Sequence, residues 1–157
     1  MAKASIIYES KYGNTKRVAE IIAEGIKQTS AIDTIIAELK SVDPAKVVWF
    51  EAILIGSPNH MGRATRDIRK FIDKLGTLNL DGKHVAVFDT YMGRDFEKAV
   101  KGMEKQLREK VAGLKLLTPG LSIKVNEMEG PIADGELPKC KEFGAKIATL
   151  PKGWIWM

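Results

Sequence analysis

The sequence predicts an α/β protein built on a doubly wound parallel sheet of five strands, order 2-1-3-4-5, with helices on both faces. Three observations lead there. Short apolar runs alternate with stretches whose apolar residues recur at helical spacing. The runs are largely continuous rather than alternating, as in strands covered on both faces. Five such runs suit an order whose crevice opens beyond the carboxyl ends of strands 1 and 3.

Ala4 to Tyr8 has the length of a buried strand, and Val18, Ile21, Ile22, Gly25 and Ile26 mark the helix after it. Ile32 to Leu39 reads as the second strand. Ser41-Val42-Asp43-Pro44 is a turn, with Pro44 placed to start a short helix through Val48. Ala52 to Ile55 is the third strand, ended by Gly56-Ser57-Pro58. The next helix carries Ile68, Phe71, Ile72 and Leu75 on one face. After an Asp81-Gly82 turn, His84 to Phe88 forms the fourth strand. Phe96, Val100, Met103, Leu107 and Val111 stripe a long helix that Gly113 ends. Leu114 to Val125 holds a fifth strand, broken around Pro119-Gly120. Cys140, Phe143, Ile147 and Leu150 belong to the last helix, with Pro138 near its start.

The chain has 157 residues and is 45% hydrophobic, enough for one domain with a real core. Residues 1–151 form that domain, and 152–157 read as a hydrophobic tail. Trp154 and Trp156 in the tail should pack on the domain or on a second copy, giving a monomer or a dimer. No apolar stretch has the length of a membrane span. The start lacks the apolar core of a signal peptide. Cys140 is the single cysteine, so no internal disulfide forms. The expectation is a cytoplasmic protein. A net charge of +5 admits nucleic acid as a partner, but no helix-turn-helix, zinc-finger or RNP pattern accompanies it. Two His and one Cys are too few for a metal centre of the zinc type.

Three loops meet at the expected crevice: Glu9 to Thr15, Ser57 to Thr65, and Asp89 to Asp95. In the first, Ser10, Lys11, Tyr12, Gly13, Asn14 and Thr15 open a helix whose first amides have no intrahelical partner. The helix dipole adds positive charge there, and Gly13 lets backbone approach a ligand. This is a pocket for one phosphate group. A plain turn capped by Asn14 or Thr15 is the structural alternative. The spacing is neither that of a P-loop nor that of the dinucleotide fingerprint.

The run Ile6, Ile7, Tyr8, Ser10, Gly13, Thr15, Ala19, Ile22 resembles the flavodoxin signature, position for position. The resemblance extends over residues 3–150 and includes the last helix, which is similar to that of short flavodoxins and of flavo-diiron flavin domains. It implies a flavodoxin-like fold and an FMN whose phosphate sits in the first loop. Tyr12 departs from the Thr usual there, and is more like the quinone-reductase and flavo-diiron branches. In the second loop, Ser57, Pro58, Asn59 and His60 precede Met61-Gly62. The resemblance places that pair beside the isoalloxazine, where the peptide flips when the flavin takes up an electron. In the third loop, Asp89, Thr90, Tyr91 and Gly93 are the implied contacts, with Tyr91 stacking on the ring. Asp89-Thr90 stands where the family carries a Gly-Ser type pair. The chain is too short to hold a diiron domain as well.

The expected function is a flavodoxin-like carrier of single electrons between redox proteins, with no catalytic acid or base of its own. The alternative is an FMN-dependent NAD(P)H:quinone oxidoreductase, which Tyr12 favours. Lys11, Lys16, Arg17, Arg63, Arg66 and Arg94 dominate the three loops, so acidic redox partners are expected rather than basic ones.

Overall fold

A computed structural model describes residues 3–150. The tail, 152–157, with its expected packing, lies outside the described residues. Strand β1 (Lys3–Tyr8) runs into helix α1 (Asn14–Thr29), followed by β2 (Asp33–Glu38) and β3 (Ala52–Pro58). Helix α2 (Arg66–Leu75), β4 (His84–Tyr91) and α3 (Lys98–Lys110) come next. Two short strands, β5 (Lys115–Leu116) and β6 (Leu121–Lys124), precede α4 (Leu137–Thr149).

The sheet is parallel, with order β2-β1-β3-β4-β5. Both β5 and β6 pair with β4, so together they are the expected fifth strand, interrupted as Pro119-Gly120 suggests. The amide of Gly120 donates to the buried Glu104 carboxylate at 2.9 Å, which satisfies a backbone group the interruption leaves unpaired. β1 sits between β2 and β3, with Ile6 opposite Ile36 on one side and Leu54 on the other.

Alternation along the strands divides the core in two. Ile6, Leu54 and Phe88 face α1 and α4, whereas Ile7, Ile55 and Val87 face α2 and α3. Helices α1 and α4 meet backbone to backbone. A β-carbon at Gly25 would stand 2.2 Å from the Lys141 carbonyl oxygen, and one at Gly144 would stand 2.1 Å from that of Ile22.

The structure departs from the sequence pattern in three places. The stripe beginning at Phe96 overruns the helix. Glu97 adopts φ 62°, so α3 starts at Lys98, and Phe96 lies outside it, 55% exposed. Its ring meets Tyr91 edge-on, with centroids 5.6 Å apart. The short helix at Pro44 is a 3-10 turn, Pro44–Trp49, capped by the Asp43 carboxylate accepting the Ala45 amide at 3.1 Å. β2 carries Ile35 and Ile36 at its centre, yet both are exposed, because it is the sheet's edge. Among the described residues no helix is long and apolar enough to cross a membrane, and no His, Cys, Asp and Glu group could hold a metal ion.

Gly144→Ala is expected to lower stability by about 1–3 kcal/mol, because the added methyl must push α1 and α4 apart. Urea denaturation of parent and variant checks it.

Candidate functional site

The carboxyl ends of β1, β3 and β4 lead into loops that bound a cleft of about 560 Å³. This volume is ordinary for a cofactor site. Ser10, Lys11, Tyr12, Asn14, Thr15, Pro58, Asn59, His60, Met61, Thr90 and Tyr91, all expected at the site, line it.

In the first loop Gly13 takes φ 93° and stands at the N-cap of α1, where it has no side chain of its own to cap the helix. Neither Asn14 nor Thr15 plays the capping role that a plain turn would give it. Ser10 Oγ accepts the amides of Gly13 at 3.1 Å and of Lys16, in the first turn of α1, at 3.4 Å, leaving its own proton to donate. The Thr15 hydroxyl is buried and bonds to that of Thr90 at 2.9 Å. Asn14 donates to the Met128 carbonyl at 3.3 Å, a bond between two residues of the cleft wall. Lys11 holds its ammonium 5.4 Å from the centre of the exposed Tyr12 ring.

The second loop ends in a tight turn. His60 and Arg63 exchange amide–carbonyl bonds of 2.7 and 3.0 Å, and the residues between them, Met61 and Gly62, have φ 51° and 85°. Two positive φ angles in succession are the pattern of a type I′ turn. It thrusts Met61 into solvent, 98% exposed. Ser57 is buried beneath, accepting the Thr65 amide at 3.0 Å and donating to the Pro58 carbonyl at 2.8 Å.

Side chains tie the loops together. The Thr65 hydroxyl donates to the Glu9 carboxylate, joining the first loop to the second. The Asn59 amide nitrogen donates to Asp95 at 2.7 Å, joining the second to the third. That bond, with one from Lys98, holds the Asp95 carboxyl below its usual range. It also fixes the orientation of the Asn59 amide, whose Oδ1 is then a buried acceptor with no partner among the described residues. Burial holds the Tyr91 phenol above its ordinary pKa.

Five residues expected at the site do not line the cleft. Gly13, Gly62 and Gly93 shape the backbone of its loops, and Ser57 lies beneath the second. Asp89 is turned away altogether, because successive residues of a strand point to opposite faces. Thr90 faces the cleft, so Asp89 faces α3. A fourth loop was not anticipated. Val125, Glu127 and Met128, after β6, complete the wall, together with Met92 and Asp95 of the third loop. The signal was present: in this topology every loop at a carboxyl end borders the crevice, and Val125 closes the fifth strand.

Sequence and structure comparisons converge. A sequence model of the flavodoxin domain matches residues 5–124. A flavodoxin of Clostridium saccharobutylicum is 38% identical over 88 residues, 56% of this chain and 55% of that one. The chain spans about half the length of the curated relatives it matches. The structure of a flavodoxin from the domain Archaea superposes with a TM-score of 0.79 at 31% identity, covering 93% of this chain and 96% of that one. The flavodiiron protein from Giardia intestinalis shares the fold, with a TM-score of 0.76 at 21% identity over 93% of this chain and 35% of its own.

Gly13→Ala should cost about 1–2 kcal/mol although open space surrounds the site of the new methyl, because the penalty is the positive φ. Thermal melts of the two proteins measure it.

Proposed function

The chain belongs to the flavodoxin family, and from that premise we propose that it binds FMN in this cleft and carries electrons between redox proteins. The observation that carries the reading is the start of α1 at the cleft, where Gly13 lacks a capping side chain and Ser10 Oγ, which accepts the Gly13 and Lys16 amides, keeps its own proton to donate. Unpaired helix amides, the positive end of the dipole and a hydroxyl together suit one phosphate. The first loop provides for a single phosphate, which suits FMN better than FAD.

The rest of the cleft fits a flavin. Asn59 Oδ1 is a buried acceptor awaiting a donor, and oxidised isoalloxazine carries one ring N–H. Pro58, Tyr91 and Met92 provide flat or polarisable walls for an aromatic system. The bound flavin would supply the redox chemistry, and the chain's task is to position it and set its potential. Tyr12, at the rim, is the residue that favours the reductase alternative; turnover of NAD(P)H with a quinone would mark that activity.

The rim is basic. Lys11, Arg63 and Arg94 are exposed and make no ion pair among the described residues. Of the acids near them, Asp95 pairs with Lys98 at 3.0 Å and Glu97 with Lys101 at 3.7 Å, whereas Glu9 and Asp67 make no ion pair among the described residues. Glu127 remains as an acid of the cleft wall without an ion pair. The proposed partners are therefore acidic redox proteins, drawn by long-range attraction.

Ser10→Ala with Thr15→Ala should weaken FMN binding by a few kcal/mol, since hydrogen bonds to charged groups contribute about 1.5–3 kcal/mol each. Fluorescence titration with FMN tests it, and unchanged affinity would refute the phosphate assignment. Arg63→Glu should lower the potential of the second electron step by tens of millivolts, more at low salt than at high. One charge at about 10 Å and an effective dielectric near ~40 contributes about 0.8 kcal/mol, or about 35 mV for one electron. A potential that stays put at low salt would remove the electrostatic basis for acidic partners.

A further inference from the structure

Asp89 is fully buried, one residue along β4 from the cleft wall. Its Oδ2 accepts the Val100 amide at 3.0 Å, and its Oδ1 accepts the Ser122 hydroxyl at 2.6 Å. Ser122 Oγ in turn accepts the Glu97 amide at 2.9 Å. No ion pair among the described residues involves Asp89. The groups its two strand neighbours set opposite it are neutral: Ser57 on β3 and Ser122 on β6. The turn before α2 adds the neutral Thr65, bonded to Ser57. The charged groups that face it are both acidic, Glu97 at the start of α3 and Asp95 in the preceding loop, each engaged by a lysine. Burial pushes the Asp89 carboxyl up to about 6, against the pull of its two hydrogen bonds and with a small push from Glu97 and Asp95.

Part of this arrangement is structural. Glu97 offers no side-chain cap to α3, and Asp89 supplies the missing acceptor from a neighbouring strand. Capping alone does not account for the position. Thr90, the next residue, lines the cleft and bonds to Thr15 at its floor. Adjacent Cα atoms are about 3.8 Å apart, so a charge lying against Thr90 and Tyr91 is within roughly 10 Å of the Asp89 carboxylate. The path between them runs through protein rather than water, where charges interact strongly.

We infer that Asp89 is a redox-linked proton site: an electron entering the cleft draws one proton from solvent onto the Asp89 carboxylate, and departure of the electron releases it. The inference rests on the cleft holding FMN. The electron comes from a reduced partner protein, the proton from water, and the bond formed is a carboxyl O–H. Coupling of this kind is reciprocal, so protonating Asp89 also favours electron uptake. The surroundings accommodate both states. A serine hydroxyl accepts as readily as it donates, so the Ser122 bond can reverse while Oδ2 keeps the Val100 amide.

The test uses the FMN-bound full chain. Carbon-13 NMR follows the Asp89 carboxyl from pH 4 to 9 in the oxidised and fully reduced protein, and the reduction potentials of parent and Asp89→Asn are measured over the same range. The expected result is a carboxyl midpoint that moves upward on reduction. With it, the parent potential rises more steeply with falling pH than the variant's, by up to one proton per electron. The same midpoint in both redox states, or parallel potential profiles, would overturn the inference while leaving FMN binding intact. Should Asp89→Asn fail to fold, Ser122→Ala takes its place. Losing the hydroxyl should move the break in the potential profile to higher pH, and an unmoved break would overturn the inference. A parent chain that takes up no FMN would sink the cofactor reading, and the inference with it.

Discussion

The structure depends on β1 pairing in parallel with both β2 and β3. Parallel neighbours cannot be joined by a tight turn, and their crossovers are right-handed. The connection from β1 to β2 therefore goes over one face and carries α1, while that from β3 to β4 goes over the other and carries α2. The chain leaves β1 and β3 in opposite directions. A crevice opens between them, and backbone amides at the start of α1 are left there without a partner inside the helix. The place of the α1 N-terminus at the crevice is thus a product of strand order before any side chain is considered.

Side chains then make that crevice a fixed shape. Thr15 to Thr90, Thr65 to Glu9 and Asn59 to Asp95 each join two loops that are far apart in sequence. Such bonds reduce what a ligand must order on binding. Beneath them lies a layer of buried polar groups, Ser57, Asp89, Ser122 and Glu104, each with a partner. A satisfied network of this kind holds loop ends against the apolar core without leaving donors stranded. Asn59 Oδ1 is the exception, in a residue that lines the cleft.

The charges of the site lie in two settings, an exposed basic rim and a buried acid. Arg63 and Arg94 stand in water, where salt screens them. Asp89 is in the interior, where screening is weak and protonation is the available response to a nearby charge. One site can therefore answer to ionic strength at its surface and to pH at its floor.

Much of the fold was legible in the sequence because periodicity reports burial, and burial is what the layers share. The runs at Ala4, Ala52 and His84 and the helical stripes at Ile68 and Cys140 became the elements they suggested. The first loop was legible too, because its chemistry is local: Ser10, Gly13 and Thr15 lie within six positions. Periodicity failed where neighbours decide. Ile35 and Ile36 read as core but lie on an edge strand, and Phe96 extended a stripe whose helix begins two residues later.

By itself the sequence determined the class of fold, the strand and loop that lead into the first helix and the basic character of the rim, because each follows from local pattern or composition. Tertiary structure decided which loop residues face the cleft. It turned Asp89 to α3 and Thr90 to Thr15, brought Val125 to Met128 in as a fourth wall, and left Asn59 Oδ1 unpaired. These outcomes depend on pairings between residues tens of positions apart. Strand register and the requirement that buried polar groups find partners select them only once the sheet has closed.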